Sequence, residues 1–211
     1  MIKDKRTRIE KFKNAKLYLV TSQELSNAPT LQILREALQA GCKLFQLREK
    51  TLAKHKYKEL ALLVRSMANK YDALFIVNDH VDVAKEVGAD GVHLGQDDMS
   101  VKEARKILGS EFIIGVSTHN IEEAIKAQKD GADYINIGPV FPTNTKPFAK
   151  SLGLDGIKEI LPHVNIPFTF MGGIKLDNVQ SLKPFKPAAV AVITELTRSM
   201  RLSVDISTFL S

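Results

Sequence analysis

One loop of the sequence contains the side chains best suited to binding a phosphate group. It follows the apolar run Tyr134–Ile137, which has the composition of a buried strand, and extends over Gly138–Lys146. Within it lie the hydroxyls of Thr143 and Thr145 and the ammonium of Lys146, while two prolines restrict the backbone. Hydroxyls and backbone amides donate hydrogen bonds to phosphate oxygens and lysine adds a positive charge, so the loop predicts an anion site.

A second group of polar side chains follows an earlier apolar run, Lys43–Leu47. Because side chains alternate along a strand, Gln46, Arg48 and Lys50 are expected on the same side of the chain. Arg48 is suited to a bidentate contact with phosphate, Lys50 to adding charge, and Gln46 to hydrogen bonding the edge of a heterocycle. The alternative, an exposed loop in which Glu49 pairs with a neighbouring cation, is equally compatible with these residue types.

Carboxylates follow the next two apolar runs. Asp79 comes directly after Asn78, and the adjacent Asp97 and Asp98 come shortly after a glycine. Neighbouring strands would bring Asp79 close to this pair, and Mg²⁺ characteristically takes one or two carboxylates together with phosphate oxygens and waters. Each carboxylate could instead cap the helix that follows it, with Ser100 as a further capping residue. The spacing does not decide whether Asp97 or Asp98 faces the site.

The remaining polar groups of this kind follow the later apolar runs. Ser117 ends one run, the pair Gly172–Gly173 follows another, and Ile193–Thr194 ends the last. Paired glycines and backbone donors behind the last two strands of a barrel form a common phosphate site. The groups divide into one metal-assisted and one metal-free anion site, which predicts two phosphorylated substrates, one of them a pyrophosphate.

The elements that must position these groups alternate along the whole chain. Short apolar runs rich in β-branched residues are separated by amphipathic stretches, among them Leu31–Ala40, His55–Lys70 and Ile121–Lys129. The predicted strands are Leu17–Thr21, Lys43–Leu47, Ala73–Val77, Gly91–Leu94, Phe112–Val116, Tyr134–Gly138, Pro167–Phe170 and Ala188–Ile193. Eight such units predict a single α/β domain over residues 1–211, a (β/α)₈ TIM barrel whose chemistry lies at the carboxyl ends of the strands. An open doubly wound sheet would usually show fewer strands and a glycine-rich first turn.

Composition and charge restrict the classes of protein. With 44% hydrophobic residues the 211-residue chain can bury one large core, and its only cysteine, Cys42, fits a packing role in a reducing, cytoplasmic compartment. No apolar run is long enough to span a membrane. The formal charge of +6 is concentrated in a basic extension over residues 1–14, predicted to be helical, with Ile9 and Phe12 docking onto the body. A nucleic-acid-binding arm is the less favoured interpretation, since no nucleic-acid module is recognisable.

Several motifs together resemble one enzyme family, the thiamine phosphate synthases. They occur in the family's order and at similar spacing, and are QLREK, VND, GADGVHLGQDD, GVSTHN, GADYINIGPVFPTNTK and a late GGI. The resemblance covers the chain from the first predicted strand to the last. It implies a transferase of thiamine biosynthesis that joins a hydroxymethylpyrimidine diphosphate to a thiazole phosphate, releases pyrophosphate and uses Mg²⁺.

The resemblance also implies a role for each matching residue. The pyrimidine diphosphate site would comprise Gln46, Leu47, Arg48, Glu49, Lys50, Asn78, Ser117 and Lys146. The thiazole phosphate site would comprise Thr143, Asn144, Thr145, Gly173, Ile193 and Thr194. Asp79 and Asp98 would bind Mg²⁺, which selects Asp98 over Asp97. The implied mechanism is ionisation of the pyrimidine C–O bond, with Arg48, Lys50, Lys146 and Ser117 as catalytic residues and no protein nucleophile.

Two departures from the family pattern and two alternatives accompany this interpretation. Thr194 stands where the family usually has serine, and Lys186–Ala189 replaces a usual Gly-Ala-Asp-Gly before the last strand. A thiazole tautomerase, or a non-catalytic thiamine-phosphate binding protein, would use the same barrel. Neither needs the basic segment, both aspartates and Lys146, because neither has a pyrophosphate to release. The partners expected are phosphorylated small molecules, without nucleic acid or membrane, and assembly into a homo-oligomer is left open.

Overall fold

The computed structural model describes residues 4–143 and 150–211, in which eight parallel strands close into a barrel. The strands are β1 (Lys16–Val20), β2 (Leu44–Leu47), β3 (Leu74–Asn78), β4 (Gly91–Leu94), β5 (Ile113–Thr118), β6 (Tyr134–Ile137), β7 (Phe168–Met171) and β8 (Ala189–Val192). Each pairs with the next, and β8 closes on β1 with Val190 opposite Leu17. The predicted fold class is confirmed, and every predicted strand lies within two residues of the observed one.

Helices surround the barrel in the order expected. They are α1 (Lys5–Lys13), α2 (Thr30–Gln39), α3 (Lys54–Lys70), α4 (Val81–Glu86), α5 (Val101–Leu108), α6 (Ile121–Lys129), α7 (Gly153–Ile160), α8 (Thr194–Thr197) and α9 (Leu202–Leu210). The side chains of Ser100 and Asn120 cap α5 and α6 by accepting from backbone N–H groups. The expected helix after β7 is replaced by a 3₁₀ helix, Val179–Phe185, which contains Pro184 and therefore cannot continue as a regular α-helix. None of the described helices is both long and apolar enough to cross a membrane.

Alternation along the strands divides the core into two layers. Residues such as Phe45, Val77 and Ile135 pack outward against the helices. Their neighbours Leu44 and Ile76 point into the barrel interior, as do the other members of a smaller buried cluster. Polar residues two positions after these, at the ends of the strands, therefore point inward near the rim. Gln46 of β2 and Asn78 of β3 are placed in this way.

The basic N-terminal helix closes the opposite end of the barrel. Phe12 of α1 is fully buried in the inner cluster, and Ile9 packs against that cluster, as predicted. Arg8 is only 5% exposed, and its Nε lies 3.2 Å from Oδ1 of Asp90. Lys5 pairs with Asp133 at 2.5 Å. The helix is thus docked more completely than expected for a solvated segment, and part of its charge is neutralised by the barrel.

The cysteine lies in the outer layer, far from the rim. Cys42 is 1% exposed and packs in the outer cluster just before β2. Its Sγ lies 3.3 Å from the carbonyl oxygen of Leu44. Burial raises the pKa of the thiol to about 11, so it is protonated at neutral pH. These features fit the packing role predicted for it.

Candidate active site

A cavity of about 560 Å³ opens at the carboxyl ends of the strands. Its walls include seven residues singled out from the sequence or lying directly beside them: Arg48, Ser117, Thr143, Gly172, Gly173, Ile193 and Thr194. They come from the ends of β2, β5, β7 and β8 and from the loop after β6. The structure therefore brings together residues from both predicted anion sites in one cavity. Asn144, Thr145 and Lys146 lie outside the described residues.

The segment after β2 divides into side chains that face the cavity and side chains that hold the loop. Arg48 lines the cavity, and its guanidinium makes no ion pair or hydrogen bond with another described residue. Gln46 lies two residues earlier on the same face of the strand and therefore deeper in the barrel. There its Nε2 donates to the hydroxyl of Tyr18 at 2.7 Å. Leu47 is fully buried in the outer cluster, so any contact between this residue and a ligand must use its backbone.

Glu49 is a buried anchor for the loop. It is 3% exposed and accepts hydrogen bonds from the hydroxyls of Thr21 at 2.9 Å and Thr30 at 2.7 Å, and from the backbone N–H of Gln23 at 2.7 Å. Thr21 in turn accepts from the backbone N–H of Arg48 at 3.0 Å. The exposed salt-bridged loop considered from the sequence is therefore not what forms. Instead the carboxylate ties the residues around Arg48 to the end of β1.

A chain of hydrogen bonds crosses the barrel interior beneath the cavity. The hydroxyls of Tyr18 and Tyr134 lie 2.9 Å apart, and that of Tyr134 lies 3.0 Å from Nδ1 of His93. Nε2 of His93 lies 2.9 Å from Oγ of Ser117, which lines the cavity. Burial raises the pKa of both tyrosines, so both keep their hydroxyl protons. The chain connects the floor of the barrel to a side chain predicted to contact substrate.

Two carboxylates and an ammonium meet beside the cavity. Lys50 forms an ion pair with Oδ2 of Asp79, whose side chain is 19% exposed. Desolvation raises the pKa of Asp79; Lys50 opposes the rise, whereas the nearby carboxylate of Asp98 adds to it. Asp98 also accepts a hydrogen bond from the backbone N–H of Gly95 at 2.6 Å. Two carboxylates held close together repel each other, and one ammonium offsets only part of that repulsion, so their placement suits a divalent ion.

The local backbone excludes the capping alternative for Asp79. The residue preceding α4 is His80, and no side chain caps that helix, so Asp79 is not its capping residue. Asp79 itself has φ of +60°, a left-handed conformation that is uncommon outside glycine. Asp97 and Asp98 are both exposed, and it is the carboxylate of Asp98 that lies near Asp79. Among the described residues no group of three or more acidic, histidine or cysteine side chains forms a metal cluster.

The same cavity also offers backbone donors. Gly173 has φ of +63°, and a Cβ at this position would lie 2.4 Å from the carbonyl oxygen of Pro142, so only glycine fits. Within the described part of the chain, the backbone N–H groups of Gly173 and Thr194 donate to no other backbone group. Thr194 begins α8, and Thr143 also lines the cavity. Unpaired amides with adjacent hydroxyls suit a bound phosphate.

Some residues of the site were not found from the sequence. Asn136, on the inner face of β6, lines the cavity and is 3% exposed. Its Oδ1 has no hydrogen-bond partner among the described residues. Alternation from Tyr134 would have directed this polar residue inward, and that signal was available. His93 stood out only by its place late on β4, and the two tyrosines gave no signal, because their contact joins distant parts of the sequence.

The fold and the cavity define a (β/α)₈ barrel enzyme with polar groups gathered at the carboxyl ends of its strands. The family model described as thiamine monophosphate synthase matches residues 17–196. The chain is 45% identical to the thiamine-phosphate synthase of Shouchella clausii over 183 residues, which covers 86% of this chain and 88% of that protein. It is 42% identical to the thiamine-phosphate synthase of Caldicellulosiruptor saccharolyticus over 205 residues, covering 96% and 92% respectively.

The solved structures agree with this relationship. Thiamine phosphate pyrophosphorylase from Pyrococcus furiosus superposes with a TM-score of 0.86 at 36% identity, covering 94% of this chain and 95% of that one. The 3-hexulose-6-phosphate synthase structure, at 15% identity and a TM-score of 0.70, shows the shared barrel alone. The chain belongs to the thiamine monophosphate synthase family, and the resemblance drawn from its motifs is confirmed.

Proposed function

We propose that the chain performs the reaction of its family through two anion sites that share one cavity. That reaction joins 4-amino-2-methyl-5-hydroxymethylpyrimidine diphosphate to a thiazole phosphate and gives thiamine phosphate and pyrophosphate. The observation that supports this most strongly is that one cavity is lined both by the side chains of Arg48 and Ser117 and by Gly173 and Thr194. The cluster of Lys50 with the two aspartates lies beside the cavity.

The diphosphate is assigned to the residues with positive charges. Arg48 binds it in a bidentate manner, and Lys50 and Lys146 balance the charge that accumulates as pyrophosphate departs. Ser117 and Asn78 donate hydrogen bonds to it, and Gln46 contacts the pyrimidine. Leu47 and Glu49 contribute backbone groups, since their side chains are committed to the core and to the loop.

The residues present fit a magnesium ion. Asp79 and Asp98 would hold the ion through carboxylate oxygens, which Mg²⁺ takes together with phosphate oxygens and waters. When bound, the ion would neutralise negative charge on the leaving pyrophosphate. Lys50, which pairs with Asp79, would also lie within the same cluster as the bound diphosphate and add positive charge there.

The bond changes need no protein nucleophile. The C–O bond between the pyrimidine methylene and the diphosphate breaks, and both electrons leave with pyrophosphate. The ring's amino group donates electron density to the resulting cation, and the thiazole nitrogen uses its lone pair to form the new C–N bond. The protein's part is to hold the two substrates face to face, to stabilise the leaving group and to keep water from the cation.

The thiazole phosphate is assigned to the backbone donors of the cavity. The amides of Gly173, Ile193 and Thr194 donate to its phosphate, and the Thr143–Thr145 segment, with Asn144, covers it. Thr194 keeps the hydroxyl and the amide that the usual serine provides. The tautomerase and the binding-protein alternatives leave the Lys50–Asp79–Asp98 cluster without a role, because neither involves a diphosphate. We assign the enzyme to the cytoplasm, with small-molecule partners and no nucleic acid.

The test of the proposed function is pyrophosphate release from both substrates with Mg²⁺, beside samples that lack the thiazole phosphate or the metal. Release that requires all three components, with thiamine phosphate as product, is the expected result. Arg48→Met should lower kcat/KM by about 10²- to 10³-fold, since one charged contact to the leaving group is lost. Lys43→Met changes an exposed lysine just before β2, at the opposite end of the barrel from Arg48, and as the matched control should leave the rate unchanged. No release from folded wild-type protein would overturn the proposal.

A further inference from the structure

The buried tyrosine beneath the cavity is placed to control a side chain of the site. Tyr134 contacts Nδ1 of His93 at 3.0 Å, and Nε2 of the same ring contacts Oγ of Ser117 at 2.9 Å. A neutral imidazole has one nitrogen that donates and one that accepts. Whichever role Tyr134 takes at Nδ1 therefore fixes the opposite role at Nε2, and with it the direction of the bond to Ser117.

Two directions of donation satisfy the chain. In the first, Nε2 of Gln46 donates to Tyr18, Tyr18 donates to Tyr134, and Tyr134 donates to His93. His93 then donates to Ser117, whose own proton is directed to the cavity. In the second, the bonds from Tyr18 to Ser117 run the other way, while Gln46 still donates because an amide nitrogen cannot accept, and Ser117 gives its proton to His93. The cavity then meets only the lone pairs of the serine oxygen.

The ligand of the site distinguishes the two directions. A diphosphate oxygen is an acceptor, so it is attracted by a hydroxyl proton and repelled by the lone pairs of a serine that has no proton to donate. We propose that Tyr134 is a positioning residue that acts through His93 and orients the Ser117 hydroxyl as a donor to the bound diphosphate. The inference rests on the proposed function, because the diphosphate is what selects the direction.

The packing around Tyr134 holds its hydroxyl in place. A Cβ on Gly115 would lie 2.0 Å from the tyrosine ring, so glycine is needed on β5 for the ring to fit. The ring of Phe12 lies against the tyrosine from below, with centroids 4.2 Å apart. The tyrosine is fully buried. Because the packing already fixes this hydroxyl, it loses little conformational freedom when substrate binds.

The test is Tyr134→Phe, which removes the hydroxyl and keeps the ring. We expect kcat to fall about 10- to 100-fold, with a smaller change in KM for the thiazole phosphate, which is assigned to other residues. Nitrogen chemical shifts of His93, with inorganic pyrophosphate and Mg²⁺ bound, should show a proton on Nε2 in the wild type and a mixture of tautomers in the variant. Tyr71→Phe, which alters a tyrosine outside the barrel, should match the wild type in both measurements.

A second variant separates positioning from a loss of structure. If Tyr134 acts through Ser117, then Tyr134→Phe should lower kcat in the wild type but cause little further loss in Ser117→Ala. Equal losses in both backgrounds would overturn the inference, as would a His93 proton on Nδ1 in the wild type. The nitrogen shifts do not depend on turnover. A wild type that releases no pyrophosphate but shows the Nε2 proton therefore contradicts the proposed function, whereas active wild type with the Nδ1 proton contradicts this inference.

Discussion

At the scale of single residues, the charge on Asp79 is unfavourable in the folded protein. The pKa of Asp79 is raised, chiefly by desolvation and further by Asp98. The folded protein therefore holds a proton at this carboxyl more tightly than the unfolded chain does. The stability linked to this group is present at low pH and is lost as the pH rises through the raised pKa of the folded state. At neutral pH the metal-free site destabilises the fold, which is common for groups kept for function.

Asp98→Asn should relieve part of this cost. The amide oxygen can still accept from Gly95, while the charge beside Asp79 is gone. Because the site is partly solvated, we expect a gain below about 1 kcal/mol, a rise in Tm of about 1–3 °C without metal, and loss of the stabilisation by Mg²⁺. Thermal unfolding with Mg²⁺ and with a chelator measures both effects. Asp97→Asn, at the exposed neighbour, should behave as wild type. A variant still stabilised by Mg²⁺ to the wild-type extent would contradict the assignment of the metal site.

At the scale of elements, one carboxylate connects the ends of β1 and β2. Glu49 accepts from Thr21, Thr30 and the backbone of Gln23, so it fixes the loop that begins with Arg48. The amide of glutamine would replace one acceptor by a donor, leaving a buried group without a partner. Such losses cost about 1–3 kcal/mol, and more when a charge is involved.

Glu49→Gln should therefore lower the free energy of unfolding by about 2–3 kcal/mol and raise KM for the pyrimidine diphosphate. Urea denaturation measures the first effect and steady-state kinetics the second. Glu24→Gln changes the same residue type at an exposed position of the neighbouring turn and should alter neither. Unchanged stability of Glu49→Gln would show that the three donors find other partners.

The same element shows what a sequence can and cannot predict. Alternation was enough to place Gln46 and Arg48 on the inner face, because the period of a strand is local. It could not show that Glu49 turns back to Thr21, since either a buried anchor or an exposed ion pair satisfies a glutamate in a loop. Tyr18 and Tyr134 are far apart along the chain, and their contact follows from barrel closure. A local pattern holds no information about such a pair.

At the scale of the whole molecule, we expect stability to depend on the N-terminal helix α1, which closes one end of the barrel. Phe12→Ala removes a fully buried ring from the barrel floor and should cost about 3–5 kcal/mol. Denaturant unfolding followed by circular dichroism measures the loss. Lys13→Ala, at the exposed next position, should change stability by less than about 0.5 kcal/mol. A Phe12→Ala protein as stable as the wild type would mean that the helix does not close the barrel.

The docking of α1 also sets an order of events during protein synthesis. Helix α1 is made long before two of its partners: the ring of Tyr134 packs against Phe12, and the strand that completes the pairing of β1 is β8. Until those residues emerge, Phe12 has only part of its native packing, which begins with Tyr18 at 6.1 Å between ring centroids. Domains tend to fold as units as they are made, but this one must wait for almost its entire length. Helix α1 therefore stays accessible to chaperones and proteases until the strand that closes the barrel has been made.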